Sequence, residues 1–358
     1  MHATSTTTQT VTIGRKDLAD VVRDAKTSRN HDLPILSGLS IRVNAGTLSV
    51  EGTDLKTTVR RFVHNVATPF VSAHAVVSAK ALADTLKGRG NADIGLTFGD
   101  GEILCNGATL RTMPADDFPA LADDVSQTGE HVGTLEPWQY RKLLSSVSGD
   151  TARPILTAIH AKRDGATVTF ASTDSYRLST VTVPAASDTF TDVLMAAEGL
   201  RRKKAHLVPK SDLTDVFTDG AHSVWRSRGG KGYEMVRTIA GTFPNYRQLI
   251  NPPTHTFTTD PAGVVEAVKA CPRALHEDYI PIRIAADGTL KVSRQDVGEW
   301  QGRVPGWQAP CDTAFNVRYL IDAFDHWASD VTVGITDGLK PMHIVADGAL
   351  GLIMPVRV

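Results

Sequence analysis

The sequence is poor in the features that mark a metal site, a disulfide scaffold or a membrane span. Its three cysteines, Cys105, Cys271 and Cys311, lie far apart and form no CxxC pair in 358 residues. An odd, scattered set of thiols excludes a disulfide framework and fits a reducing, cytoplasmic setting. Net charge is almost absent: 38 Lys and Arg face 39 Asp and Glu, giving −1 with histidine neutral. No global field therefore marks a polyanion binder, although a balanced sum is compatible with a basic face opposite an acidic one. No apolar run approaches the roughly 18–20 residues of a membrane span. The N-terminal MHATSTTTQT is polar and lacks a signal-peptide core. It reads as a short leader before the first strand.

Catalytic patterns are missing as well. There is no GxSxG elbow, no GxxxxGK[ST] loop and no HExxH helix. The twelve histidines are scattered singly, so no ligand cluster is expected. Asp116 and Asp117 precede a Phe118–Pro119 step that recurs at Phe243–Pro244, which makes the acidic pair part of a strand-exit turn. The expectation is a protein that is not an enzyme, with no cofactor and no metal.

What is present is repetition. GTLSVEGTDL at 46–55, GATVTFASTDS at 165–175 and GTLKVSRQDV at 288–297 each combine a turn glycine, an alternating strand and a polar turn ending in Asp54, Asp174 or Asp296. The preceding segments LPILSGLSIRV, RPILTAIHAKR and YIPIRIAAD match too. A period of about 120 residues is too long for a solenoid unit and right for a small domain.

Each copy starts with the same helix. Leu18, Val21, Val22 and Ala25 are spaced i, i+3, i+4, i+7, as are Tyr140, Leu143, Leu144 and Val147, and Pro261, Val264, Val265 and Val268. A second helix is expected in each copy, with stripes Leu82/Leu86, Leu213/Val216/Phe217 and Leu320/Ala323/Phe324/Trp327. A one-striped helix buries its stripe on a sheet, and strands of alternating polarity have one dry face. The fold class is therefore α+β: three tandem similar domains at 1–129, 130–254 and 255–358, each with two helices packed on antiparallel sheet. The boundaries fall at turn-rich SQTGEH and NPPTHT.

At this point the chain resembles the bacterial sliding clamp family, the beta subunit of DNA polymerase III. LPILSGLSIRVNAGTLSVEGTDL, RPILTAIHAKRDGATVTFASTDSYRL, GTFPNYRQLI and the terminal LIMPVRV carry the resemblance, in that order, over nearly all of residues 11–358. It implies a head-to-tail homodimer, a closed ring with helices lining the hole and sheet outside. It also implies a processivity factor that encircles double-stranded DNA without reading sequence and tethers the replicative polymerase, the clamp loader and other proteins bearing clamp-binding peptides. The polar helix faces would then form a diffuse positive lining of Arg23, Lys26, Arg29, Lys80, Lys87, Arg141, Lys142 and Lys210. Arg201, Arg202, Lys203 and Lys204 form the densest basic run, expected in a loop ahead of the second helix of the second copy, and read either as a DNA contact or as a solubilising loop.

The resemblance also gives TDSYRL a role. The matching segment in the family walls a hydrophobic cleft for partner peptides, and the matching positions are Leu156, Thr173, Arg177, Leu178, Pro244, Leu249, Tyr319, Met354, Pro355 and Val356. Aliphatic walls suit Leu or Phe anchors, with Arg177 and Tyr319 fixing polar atoms at the rim. Ser175–Tyr176, Gln248 and Pro341 depart from common family residues, as do Ala108 and Arg273–Ala274 at the presumed ring-closing edges. Two other classes compete: an enzyme on a repeated scaffold, and a clamp-like paralogue or phage-encoded copy that no longer encircles DNA.

Overall fold

One order of elements recurs three times along the chain. In the computed structural model, residues 9–27, 33–67, 72–88, 92–119, 125–200, 212–276 and 281–357 are described. The first round comprises β1 (Gln9–Gly14), α1 (Arg15–Ala25), β2 (Gly38–Asn44), β3 (Thr47–Thr53), β4 (Thr57–Val63), β5 (Ser72–Ser78), α2 (Ala79–Thr85), β6 (Asp93–Phe98), β7 (Glu102–Cys105) and β8 (Ala108–Met113). A short helix, α3 (Val125–Thr128), precedes the second round. That round runs β9 (Glu130–Leu135), α4 (Pro137–Ser146), β10 (Ala158–Asp164), β11 (Thr167–Thr173), β12 (Arg177–Pro184), β13 (Asp192–Ala196), β14 (Thr214–Thr218), β15 (His222–Ser227) and β16 (Gly232–Arg237). The third has β17 (His255–Thr259), α5 (Pro261–Lys269), α6 (Arg273–His276), β18 (Pro281–Ile284), β19 (Thr289–Arg294), β20 (Gly298–Arg303), β21 (Thr313–Asn316), α7 (Val317–Phe324), β22 (Val331–Ile335), β23 (Met342–Ala346) and β24 (Ala349–Ile353).

Helix starts follow local chemistry. Asp260 accepts from the backbone N–H groups of Ala262 and Gly263 ahead of Pro261, and Asn316 accepts from Arg318 and Tyr319. Ser78 caps α2 in the same way, and Glu136 with Gln139 forms a capping box on α4.

The described residues divide into two compact units, one of residues 1–131 and 199–237, the other of 132–198 and 238–358. In the first unit a sheet runs β1-β6-β7-β8-β5-β2-β3-β4-β16-β15-β14, and β9, whose first two residues belong to this unit, ends it. Leu18, Val22 and Ala25 of α1 and Leu82 of α2 are buried in its core with Leu48, Val50, Leu96 and Ile103. Each of the Leu, Val and Ile side chains contributes about 1.5–3 kcal/mol on leaving water. Between β4 and β16 the buried Arg61 guanidinium donates to Glu234 at 2.8 Å. In the second unit one sheet runs β13-β10-β11-β12-β24-β23-β22-β17 and another β20-β19-β18-β21. Helices α5 and α7 pack on each other over a core that includes Val264, Val268, Leu320, Phe324, Phe315 and Trp307.

Strand order exposes the repeat more sharply than composition does. β5-β2-β3-β4, β13-β10-β11-β12 and β21-β18-β19-β20 have one connectivity, a three-strand meander whose fourth strand returns beside the first. The polar turn repeats down to its hydrogen bonds. Thr53 Oγ donates to the Thr57 carbonyl and accepts from Leu55 N–H, while one Asp54 oxygen accepts from the N–H groups of Lys56 and Thr57. Thr173 and Asp174 do the same across Ser175, Tyr176 and Arg177, and Thr218 and Asp219 across Gly220, Ala221 and His222. The residue after each Asp is left-handed, with φ of 69° at Leu55, 81° at Ser175 and 87° at Gly220.

Three expectations are corrected. Asp296 does not build this turn: Gln295 stands where the threonine is needed, the ladder closes at Arg294↔Gly298, and the Asp296 carboxylate takes the Arg294 side chain at 2.8 Å. The helix expected over Leu213, Val216 and Phe217 is strand β14, buried on both faces and paired with β15. Helix α7 stops at Phe324, and Trp327 lies beyond it, its indole N–H donating to the Ala323 carbonyl. Among the described residues no helix is long and apolar enough to cross a membrane.

A candidate peptide-docking site and the basic helix faces

β11 and β12 are adjacent antiparallel strands, and the Thr–Asp turn between them ends beside β24, where Leu178 pairs with Leu352 and Arg177 with Ile353. After Ile353 the chain leaves the ladder. Met354 N–H donates to the Tyr176 carbonyl at 2.8 Å, and Val356 N–H to the Ala314 carbonyl at 2.7 Å. The C-terminal segment is thus pinned by backbone bonds to the turn at Met354 and to β21 at Val356, independently of its side chains.

Under the turn lies a separate small core. Leu178, Ala158, Ala171, Leu194, Phe243, Tyr246 and Leu352 are buried together, with Ile155 and Leu350 against them. Leu156 is buried in the 3-10 turn Pro154–Thr157, and Thr173 is half-buried. Around this floor, large apolar groups stay in water: Tyr176 is 56% exposed and Leu249 46%, and Met354 and Val356 are exposed too. Pro244 is exposed and Pro355 partly so. Apolar side chains held on a turn, a 3-10 segment and a pinned tail over a dry floor make a surface suited to aliphatic anchors.

Arg177 is not at the rim where the sequence places it. Its guanidinium is buried, donating to Asp174 at 2.9 Å and to Asp322 of α7, and it lies 4.5 Å from the Tyr319 ring centroid. Tyr319 in turn stacks with exposed Tyr176 at 6.0 Å. The cation is fully engaged in holding turn, α7 and the two tyrosines together, because a buried guanidinium needs paired carboxylates. Asp322 is the partner that the sequence reading missed, and no motif marks it. Another missed group is His160, buried, stacked on Phe243 at 4.8 Å and hydrogen-bonded to Asp192 at 2.8 Å. Burial pushes its pKa down, with Asp192 opposing.

Similarity to known proteins bears on the fold that holds these residues. The model described as DNA polymerase III beta subunit, N-terminal domain, matches residues 9–122. A beta sliding clamp of Micrococcus luteus is 29% identical over 267 residues, covering 72% of this chain and 85% of the relative. One of Synechococcus elongatus is 27% identical over 366 aligned positions, covering 95% and 96%. The chain is thus similar to beta sliding clamps over nearly its whole length, and its residues 9–122 match the N-terminal domain of the DNA polymerase III beta subunit. Among solved structures, a sliding clamp of Pseudomonas aeruginosa bound to griselimycin superimposes with a TM-score of 0.76 at 20% identity, covering 98% of this chain and all of that one. A Bacillus subtilis sliding clamp does so with the same TM-score at 19% identity, covering 98% and 99%. These two establish the clamp fold.

For such a fold the cations on helices matter, and they are not equivalent. Lys80 on α2 is exposed, while Lys26 beyond α1 and Arg141 on α4 are partly exposed. Arg23 is exposed but ion-paired to Asp20 at 2.6 Å and Asp24 at 3.0 Å, and Lys87 to Asp84 at 2.7 Å. Arg29, Arg201, Arg202, Lys203, Lys204 and Lys210 lie outside the described residues.

Lys142 must be removed from the basic lining. It is 1% exposed, and its ammonium donates to the Asp322, Ala323 and Asp325 carbonyls at the end of α7, 4.4 Å from the Trp327 ring centroid. Burial pushes its pKa down to about 7, against the opposing pull of the Asp322 and Asp325 carboxylates. The end of α7 leaves carbonyls without intrahelical donors, and Lys142 supplies them from α4. Among the described residues no group of three or more His, Cys, Asp or Glu is placed to hold a metal.

Proposed function

We propose that this clamp-like chain acts as the processivity clamp of a DNA polymerase, closing with a second copy, head to tail, around duplex DNA. On this reading it has three similar domains, 1–129, 130–254 and 255–358, works without catalysis in the cytoplasm, and is loaded by a clamp loader. The threefold strand order supports the domain division, with the third Thr–Asp turn altered. Closure would use the surfaces around Ala108 in β8 and Arg273 in α6. The lining would be supplied by Lys26, Lys80 and Arg141, with Arg23 and Lys87 muted by their carboxylates.

The observation that carries the docking role is the set of exposed Tyr176, Leu249, Met354 and Val356 over the buried floor at Leu178. Partner segments with Leu and Phe anchors after a Gln fit it. A peptide of this kind is expected to bind with micromolar affinity, about −8 kcal/mol. Leu178→Ala is expected to weaken it by about 1–3 kcal/mol. Calorimetric titration checks this; equal affinity in both proteins would place docking elsewhere.

A further inference from the structure

The Thr–Asp turn of the first unit repeats the docking turn of the second, including its neighbour. Thr57 pairs with Val236 and Thr58 with Met235, as Arg177 pairs with Ile353 and Leu178 with Leu352. The next residue along the neighbouring strand repeats as well. Arg237 N–H donates to the Lys56 carbonyl at 3.3 Å, the counterpart of Met354 N–H on the Tyr176 carbonyl. Lys56 therefore stands where the first cleft has Tyr176, and Arg237 where it has Met354. Two apolar rim groups have become two cations.

This second position is hollow. A cavity of about 30 Å³, open on one side, is lined by Leu55, Thr58, Met235 and Val236, with Lys56 and Arg237 at its wall and His222 beside them. Leu55 is held outward by its left-handed backbone and is exposed. Among the described residues neither Lys56 nor Arg237 is ion-paired, whereas Arg177 is paired twice. The carboxylates on the two adjoining turns are already engaged, Asp54 by backbone N–H groups and Asp219 by backbone and by His222 at 3.4 Å. The surface thus offers two unneutralised cations around an apolar socket.

We propose that this is a second docking cleft, for an acidic peptide segment in which carboxylates flank one aliphatic side chain. The carboxylates meet Lys56 and Arg237, and the aliphatic group covers the mouth of the socket against exposed Leu55. The cations alone would suit a phosphate as well as a carboxylate, but the Leu55, Met235 and Val236 side chains between them give apolar contact that a phosphodiester chain does not use, which favours peptide over nucleic acid. The proposal rests on reading the Thr173–Leu178 turn as a docking site, and its test separates the two.

The probe is fluorescein-labelled Ala-Asp-Leu-Glu-Leu-Asp-Ala, titrated by anisotropy into the full chain at low salt. Binding is expected to fall with added salt and to weaken at least about tenfold in Lys56→Glu/Arg237→Glu, as for other interfacial charge reversals. Lys56→Arg is expected to retain binding, and the Asn/Gln version of the peptide to lose it. Leu178→Ala is expected to leave the acidic peptide untouched while weakening the Gln-Leu-Phe type. Unchanged affinity after charge reversal overturns the proposal, as does loss of the acidic peptide in Leu178→Ala, which would put it in the first cleft. Displacement by short duplex DNA that also requires Lys56 and Arg237 overturns it in favour of a phosphate contact. Full Gln-Leu-Phe affinity in Leu178→Ala defeats only the reading of the first cleft.

Discussion

Lys142→Ala is expected to destabilise the second unit by about 3–5 kcal/mol, the range for removing one partner of a buried charged network. The substitution removes the Lys142 donor from the carbonyls of Asp322 and Asp325, leaves Ala323 with the Trp327 indole N–H, and opens a void beside Trp327. Lys142→Met fills the void without the charge and is expected to cost less. The pH dependence has a definite sign. The folded chain releases the Lys142 proton near pH 7, while the unfolded chain holds it to about 10.5. Between those values the unfolded state binds more protons, so stability rises with pH, and the full penalty of the buried charge applies below pH 7. Urea midpoints of wild type and Lys142→Met, compared at about pH 6 and about pH 9, are expected to shift in favour of wild type at the higher pH. Parallel curves would show that the ammonium titrates as if exposed.

Removing residues 354–358 is expected to lower affinity for a Gln-Leu-Phe peptide by at least about a hundredfold, since two exposed anchors and a pinned backbone leave together. Met354 and Val356 supply apolar wall, and their N–H bonds to Tyr176 and Ala314 hold the segment against the turn and β21. The ladder Arg177↔Ile353 to Val181↔Ala349 remains, so the fold is expected to persist with a small change in urea midpoint. Calorimetry and circular dichroism on the truncated chain check both halves. A folded truncation with undiminished affinity would remove the tail from the site.

The repeat was legible because its signals are local: a turn glycine, alternating polarity and a Thr–Asp pair each act within a few residues. The same locality misled at 213–217. Leu213, Val216 and Phe217 fit a helical stripe, yet Thr214, Val216 and Thr218 fit a strand, and five buried residues beside β15 decided for the strand. Side-chain fates set by distant elements were not legible. Lys142 looks like one more cation on a helix until the end of α7 and Trp327 enclose it. Arg177 looks like a rim group until Asp322 meets it. The four cleft residues Leu249, Met354, Val356 and Leu178 were placed by family likeness, and the periodicity of their own segments contains nothing to distinguish wall from floor.

Retention on DNA circles tests the central claim most directly. The chain, loaded on nicked circular duplex and passed through a sizing column at moderate salt, is expected to travel with the DNA and to be released when one restriction cut makes the circle linear. Binding to short linear duplex should be weak and steeply salt-dependent, since only phosphate contacts are offered. Release from circles as fast as from linear DNA, in the presence of a loader, would contradict a closed ring.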